Sequence, residues 1–138
     1  LRSKPSQAYG SELKIRVADH SIRYPDAFVV CTPVSPRATV VSDPVVIFEI
    51  ISESSATNDL VTKNAEYRET GSVQRYVILQ QTQAAAMMFS RKGDDWVTDW
   101  RSGHDGVLDL PEIGLVIPLS ELYQGVDFDS EMEPGSSA

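Results

Sequence analysis

A chain of 138 residues, 41% hydrophobic and 23% charged, has the size and make-up of one globular domain with one core, which excludes global disorder. Twelve basic against twenty acidic side chains leave a net charge of −8, which argues against loose electrostatic binding to a phosphate backbone. The single cysteine, Cys31, permits no internal disulfide or structural zinc framework, and the longest unbroken apolar stretch, residues 84–89, falls far below the roughly 18 residues of a membrane span, so the expected setting is cytoplasmic, with no membrane partner.

In chain order, the polar stretch 2–11 leads to a strand at 13–17. Tyr24-Pro25-Asp26 then introduces a β-rich run at 27–31. Residues 32–43, with two prolines and several Ser and Thr, read as a loop. Pro44 opens 45–51, a continuous apolar run suited to a central strand covered on both faces. A helix is expected over about 58–70, capped by Thr57 or Asn58 and stopped at Gly71. Strands follow at 74–79, 84–90 and 96–100, the last two joined by a hairpin turn at Lys92-Gly93-Asp94-Asp95. His104-Asp105-Gly106 makes another turn, short strands fall at 107–110 and 115–117, and Pro118 starts a last helical turn at 119–123. The order gives an α/β (α+β) class: one domain over 1–129 with a C-terminal β-hairpin extension, and a flexible polar tail at 130–138.

Glu49 is the most informative residue, because it interrupts an apolar strand where an unpaired carboxylate costs several kcal/mol or is forced to neutralise. Strand alternation puts Val45, Ile47, Glu49 and Ile51 on one face, so the acid requires a basic partner, a hydrogen-bond cluster or a cation. A structural ion pair and a functional site both answer that requirement. Asp26 supplies a second acid at the end of a neighbouring strand, after a proline that fixes the entry of the chain; alone it reads equally as a turn residue. In the following helix Asp59, Lys63 and Tyr67 recur at four-residue spacing and share a face. A helix returning across the end of the Glu49 strand carries Lys63 over the same pocket, where a point cation neutralises developing phosphate charge. Two carboxylates and a main-chain carbonyl, that of Ile50, suit magnesium with open positions for water and phosphate.

The ordered set Tyr24-Pro25-Asp26, Phe48-Glu49-Ile50-Ile51-Ser52, Asp59, Lys63, Tyr67 and Val73-Gln74-Arg75-Tyr76-Val77-Ile78-Leu79 resembles the Uma-two family, a branch of the PD-(D/E)XK nuclease superfamily found mostly in bacteria. The resemblance continues through Asp95-Trp96 and Pro111-Glu112-Ile113-Gly114 to Pro118-Leu119-Ser120-Glu121-Leu122-Tyr123. It implies a restriction-endonuclease-like mixed central β-sheet flanked by helices, Asp26, Glu49 and the Ile50 carbonyl as ligands of Mg2+ or Mn2+, Lys63 as the catalytic lysine, and Ser52, Asp59 and Tyr67 in support. It further implies a nucleic-acid substrate, DNA above RNA. The superfamily lysine stands two residues after the acid, a place taken here by Ile51, so the resemblance requires a lysine that has moved to the helix. The resemblance further leads to the expectation that the helix and strand with which the family normally begins are missing from this sequence.

Ser52 has no nucleophile-elbow glycines around it, and His20 and His104 are too isolated for a histidine metal site. Trp96 and Trp100 share a strand face, and the short strands of 84–117 leave an edge to cover, which points to a homodimer. The leading expectation is a metal-dependent endonuclease. The alternative is a non-catalytic nuclease-fold binding or assembly module, in which Glu49 simply pairs with Lys63.

Overall fold

The computed structural model describes residues 6–10, 13–17, 22–51, 57–103 and 105–125, with backbone only for residues 57–60. Its strands are β1 (Gln7–Gly10), β2 (Lys14–Arg16), β3 (Ile22–Arg23), β4 (Ala27–Val30), β5 (Val40–Val41), β6 (Pro44–Ile51), β7 (Arg75–Gln80), β8 (Ala85–Lys92), β9 (Asp95–Ser102), β10 (Val107–Leu110) and β11 (Leu115–Pro118). Helix α1 (Thr57–Glu69) lies between β6 and β7, and α2 (Leu119–Leu122) follows β11.

Six strands form the main sheet in the order β1-β4-β6-β7-β8-β9. Only β6 and β7 pair in parallel, Val46 facing Arg75 and Ile51 facing Gln80, because the connection between them passes through α1. The remaining pairs are antiparallel. At the β8–β9 hairpin Lys92 faces Asp95, and the two-residue turn requires Gly93 at φ 63°.

Alternation along these strands supplies two cores. Phe28, Val30, Ile47, Tyr76, Ile78 and Phe89 turn to one face and pack with Tyr67 of α1 and with Ile15, Val17 and Val41 around the small sheet β3-β2-β5. Val29, Val46, Val77, Ala86 and Met88 turn to the other, against Leu108 and Leu110 of the β10–β11 hairpin and Leu119 of α2. This second face is thus covered by a hairpin and a one-turn helix, not by a long helix. Val45, expected on the Glu49 face, packs instead with this second cluster, where β6 begins next to a register shift in its pairing with β4.

Among the described side chains of α1, from residue 61 on, Tyr67 alone is buried. The described part of the helix, from residue 61 on, is therefore docked largely by polar contacts. Arg23 of β3 grips Glu66 with two hydrogen bonds of 2.7 and 2.9 Å. Arg91 of β8 donates to the carbonyls of Arg68, Thr70 and Val73 at 2.9–3.1 Å, with its guanidinium 4.6 Å from the Trp96 ring centre. The carbonyls of Arg68 and Thr70 close the helix end, where intrahelical donors run out and the dipole favours a cation.

The stretch 2–11, read only as polar, contains β1, and the loop 32–43 contains the two-residue β5; β3 also carries no sequence signal. All three are short strands whose pairing comes from tertiary neighbours. In the connection from β9 to β10, Gly106 is held close: an added Cβ would stand 2.7 Å from the Leu119 side chain.

Candidate functional site

β6 positions Glu49 two residues from its end, on the face turned to α1. The residue is 6% exposed, yet both carboxylate oxygens have partners. The Tyr67 hydroxyl donates to Oε2 at 2.9 Å and the Lys63 ammonium to Oε1 at 3.3 Å. Tyr67 lies one helical turn after Lys63, so a single face of α1 delivers both donors. The Tyr67 ring is fully buried and meets Tyr76 edge to face at 4.7 Å, which fixes its hydroxyl over the carboxylate.

Asp26 stands one step before β4. The β4–β6 ladder pairs Ala27 with Phe48, and one step on it sets Asp26 across from Glu49. The Asp26 carboxylate, however, engages the adjoining peptide: Oδ2 accepts the Ile50 amide at 2.7 Å. The structure thus gathers Glu49, Lys63 and Tyr67 into one cluster and ties Asp26 to the backbone next to it. Ser52 lies outside the described residues, as do His20 and His104, and of Asp59 only its place on α1 is described. Among the described residues no group of three or more His, Cys, Asp or Glu stands close enough to hold a metal ion.

Burial pushes the Tyr67 phenol far above its ordinary range, and the Glu49 charge adds to the effect. The phenol therefore remains a hydrogen-bond donor throughout neutral pH. Burial also raises Tyr123, whose hydroxyl donates to the carbonyls of Gln80 and Ala85. A phenol that holds its proton more tightly when folded contributes stability that is complete below the unfolded value near 10 and is lost as pH rises beyond it. The unfolding free energy is expected to fall above pH 10, by up to about 1.4 kcal/mol per pH unit for Tyr67 and more gently for the less buried Tyr123. Urea titrations at stepped alkaline pH should show a shallower decline in Tyr67→Phe, and an unchanged decline would remove Tyr67 from the account.

Behind β6, on the face opposite Glu49, lies an apolar cavity of about 310 Å³ lined by Val29, Phe48, Ile50, Leu79, Leu110 and Ile117, with Asp26 at its margin. Sequence reasoning did not single out a second polar cluster. Arg75, nearly buried at the start of β7, makes two hydrogen bonds to Glu112 at 2.6 and 3.0 Å and another to Ser90. The signal that exposed Glu49 was available for it as well: Arg75 heads the apolar run 76–79.

Residues 1–119 match the family model Uma2, described as "Putative restriction endonuclease". The chain belongs to the Uma2 family. A solved structure titled as "a putative nuclease belonging to DUF820 from Anabaena variabilis" superposes on this Uma2 chain with a TM-score of 0.67 at 18% identity. The match covers 88% of this chain and 69% of that one, and it shows the same nuclease-type fold. No curated protein matches this Uma2 sequence. Among the described residues, no helix is long and apolar enough to cross a membrane.

Proposed function

We propose that this Uma2 chain is a metal-dependent endonuclease that hydrolyses phosphodiester bonds in nucleic acid, DNA above RNA, with Asp26, Glu49 and the Ile50 carbonyl holding Mg2+ or Mn2+ and Lys63 assisting. The observation that carries the reading is the polar arrangement at the Glu49 end of β6: a buried acid with a lysine on it, and a second acid bound to the next peptide. All the available ligands are hard oxygens, which suits these cations, and Mg2+ ordinarily keeps several waters beside one or two carboxylates. Asp26 Oδ1 has no donor among the described residues.

When bound, the cation supplies positive charge that polarises the phosphate and acidifies water. The chain's own residues do the rest. Tyr67 fixes the plane of the Glu49 carboxylate, and Asp26 orients the Ile50 peptide. Lys63 sets an ammonium beside Glu49, where it can meet a phosphate oxygen. A cation also offsets the net charge of −8 that otherwise repels a polyanion. In a plasmid nicking assay, activity with Mn2+ is expected in the parent and at least 100-fold less in Glu49→Ala. Equal activity in the two would sink the assignment.

The engagement of both Glu49 oxygens favours a second reading, a non-catalytic module in which the Glu49–Lys63 pair is structural. In that case Glu49→Gln costs stability, and neither parent nor variant binds a cation.

A homodimer through β9 fits the sheet edge. Val97 and Trp100 are exposed there, at 40% and 47%, and Asp99 lies two residues from Arg101 on the same face. Antiparallel pairing of two copies about Trp100 sets Asp99 against the partner's Arg101. Sedimentation at micromolar concentration should give the dimer mass, and the monomer mass in Arg101→Glu; a monomeric parent would refute the pairing.

A further inference from the structure

The backbone groups of β6 are divided between its two neighbours in the sheet. The carbonyls of Val45 and Ile51 accept the amides of Gln74 and Gln81 at 2.8 and 2.9 Å, so the odd-numbered residues turn their polar groups toward β7. Consecutive residues in a strand alternate, and Val46, Phe48 and Ile50 therefore turn theirs toward β4. Val46 meets Val29 and Phe48 meets Ala27. One further pair along this ladder would set Ile50 against Pro25, and the ladder ends before it.

Proline has no N–H to give. The Ile50 carbonyl, turned to that side, consequently receives no ladder hydrogen bond, and no described residue donates to it by another route. The Ile50 amide on the same side is occupied, because Asp26 Oδ2 takes it at 2.7 Å in place of a strand carbonyl. Adjacent residues thus treat one backbone position in opposite ways: Asp26 satisfies its donor, and Pro25 leaves its acceptor open.

We infer that Pro25 is a positioning residue for the cation, keeping the Ile50 carbonyl available as a ligand by withholding the amide that any other residue would present to it. The inference rests on the metal-dependent reading above. Asp26 completes the device by anchoring the Ile50 peptide through its N–H, so the open carbonyl is held beside a carboxylate that has a second oxygen to offer.

Pro25→Ala tests it. The amide restored at position 25 can close the ladder onto the Ile50 carbonyl and compete with the cation. Calorimetric titration with Mn2+ is expected to show affinity weakened roughly 10-fold or more relative to the parent, the size of effect seen when the groups that prepare a metal ligand are altered. The thermal midpoint should stay within a few degrees of the parent, and the new amide should be protected from hydrogen exchange. Parental Mn2+ affinity in a folded Pro25→Ala chain overturns the inference.

A second measurement needs no substitution at Pro25. On titrating the parent with Mg2+, the Ile50 carbonyl carbon resonance should move along the same isotherm as the heat of binding, and the movement should disappear in Glu49→Gln. Saturation that leaves this resonance in place overturns the inference, whatever Pro25→Ala does. A parent that takes up neither Mg2+ nor Mn2+ overturns the metal-dependent reading itself, and Pro25 with it. Cation binding abolished in Glu49→Gln but unaffected by Pro25→Ala leaves that reading standing and removes only the role of Pro25.

Discussion

Glu49→Ala is expected to unfold about 3 kcal/mol more easily than the parent, the scale set by removing one member of a buried, hydrogen-bonded pair. The side chains of Lys63 and Glu49 are 20% and 8% exposed, so solvent screens this pair little. Alanine takes away the acceptor of the Lys63 ammonium and of the Tyr67 hydroxyl together, and the Tyr67 ring is fully buried. The loss reaches beyond one contact. α1 buries one described side chain and relies on polar anchors, and Glu49 receives two of them. Glu49→Gln keeps the volume and one carbonyl oxygen and should cost less, about 1–2 kcal/mol. Urea unfolding of the three proteins orders them, and calorimetry with Mn2+ should show binding in the parent alone. A Glu49→Ala chain as stable as the parent would show that the cluster contributes no net stability.

The second large effect is expected at the opposite face of the sheet. Arg75 and Glu112 have side chains only 10% and 14% exposed and are joined by two parallel hydrogen bonds. Glu112→Ala leaves a nearly buried guanidinium with Ser90 as its remaining side-chain partner, and the expected loss is about 3 kcal/mol. Hydrogen exchange in β10 and β11 should rise more than in β6 and β7, because Glu112 lies in the single 3-10 turn that joins the hairpin strands. Replacing both residues with apolar ones of similar size, Arg75→Met with Glu112→Leu, should recover most of the loss. A double variant no better than Glu112→Ala would mean that the pair's geometry, not its charge, is what the hairpin needs.

Much of this architecture can be read from local pattern. The apolar run of β6 is long enough to place it at the centre of the sheet, and Gly93 marks the β8–β9 turn because its backbone requires positive φ. The α1 boundaries lie within a residue of those expected from Asn58 and Gly71. The missed strands β1, β3 and β5 have two to four residues each, and neighbouring backbone specifies them more than their own side chains do. At the candidate site, an acid in an apolar strand announces a partner but not which one. Four-residue spacing put Lys63 and Tyr67 on one face, and the structure joins both to Glu49. The spacing could not reveal that Asp26 binds the Ile50 amide, because that contact depends on where the β4–β6 ladder stops. Nor could it reveal the Arg75–Glu112 pair, which joins residues 37 apart in the chain.

The parallel pairing of β6 with β7 has a kinetic consequence. Every other strand pair of the main sheet is antiparallel, and the β8–β9 hairpin closes over a two-residue turn, so it can form early from local contacts. The β6–β7 pair must await closure of the whole connection that contains α1, a slower event because chain entropy is lost before the contacts repay it. Lys63 and Tyr67 ride on that connection, and Glu49 is on the first strand it joins. The Glu49–Lys63–Tyr67 cluster and the parallel centre of the sheet are therefore expected to assemble together and after the hairpin, whereas the Asp26–Ile50 contact of the antiparallel β4–β6 pair does not wait for α1.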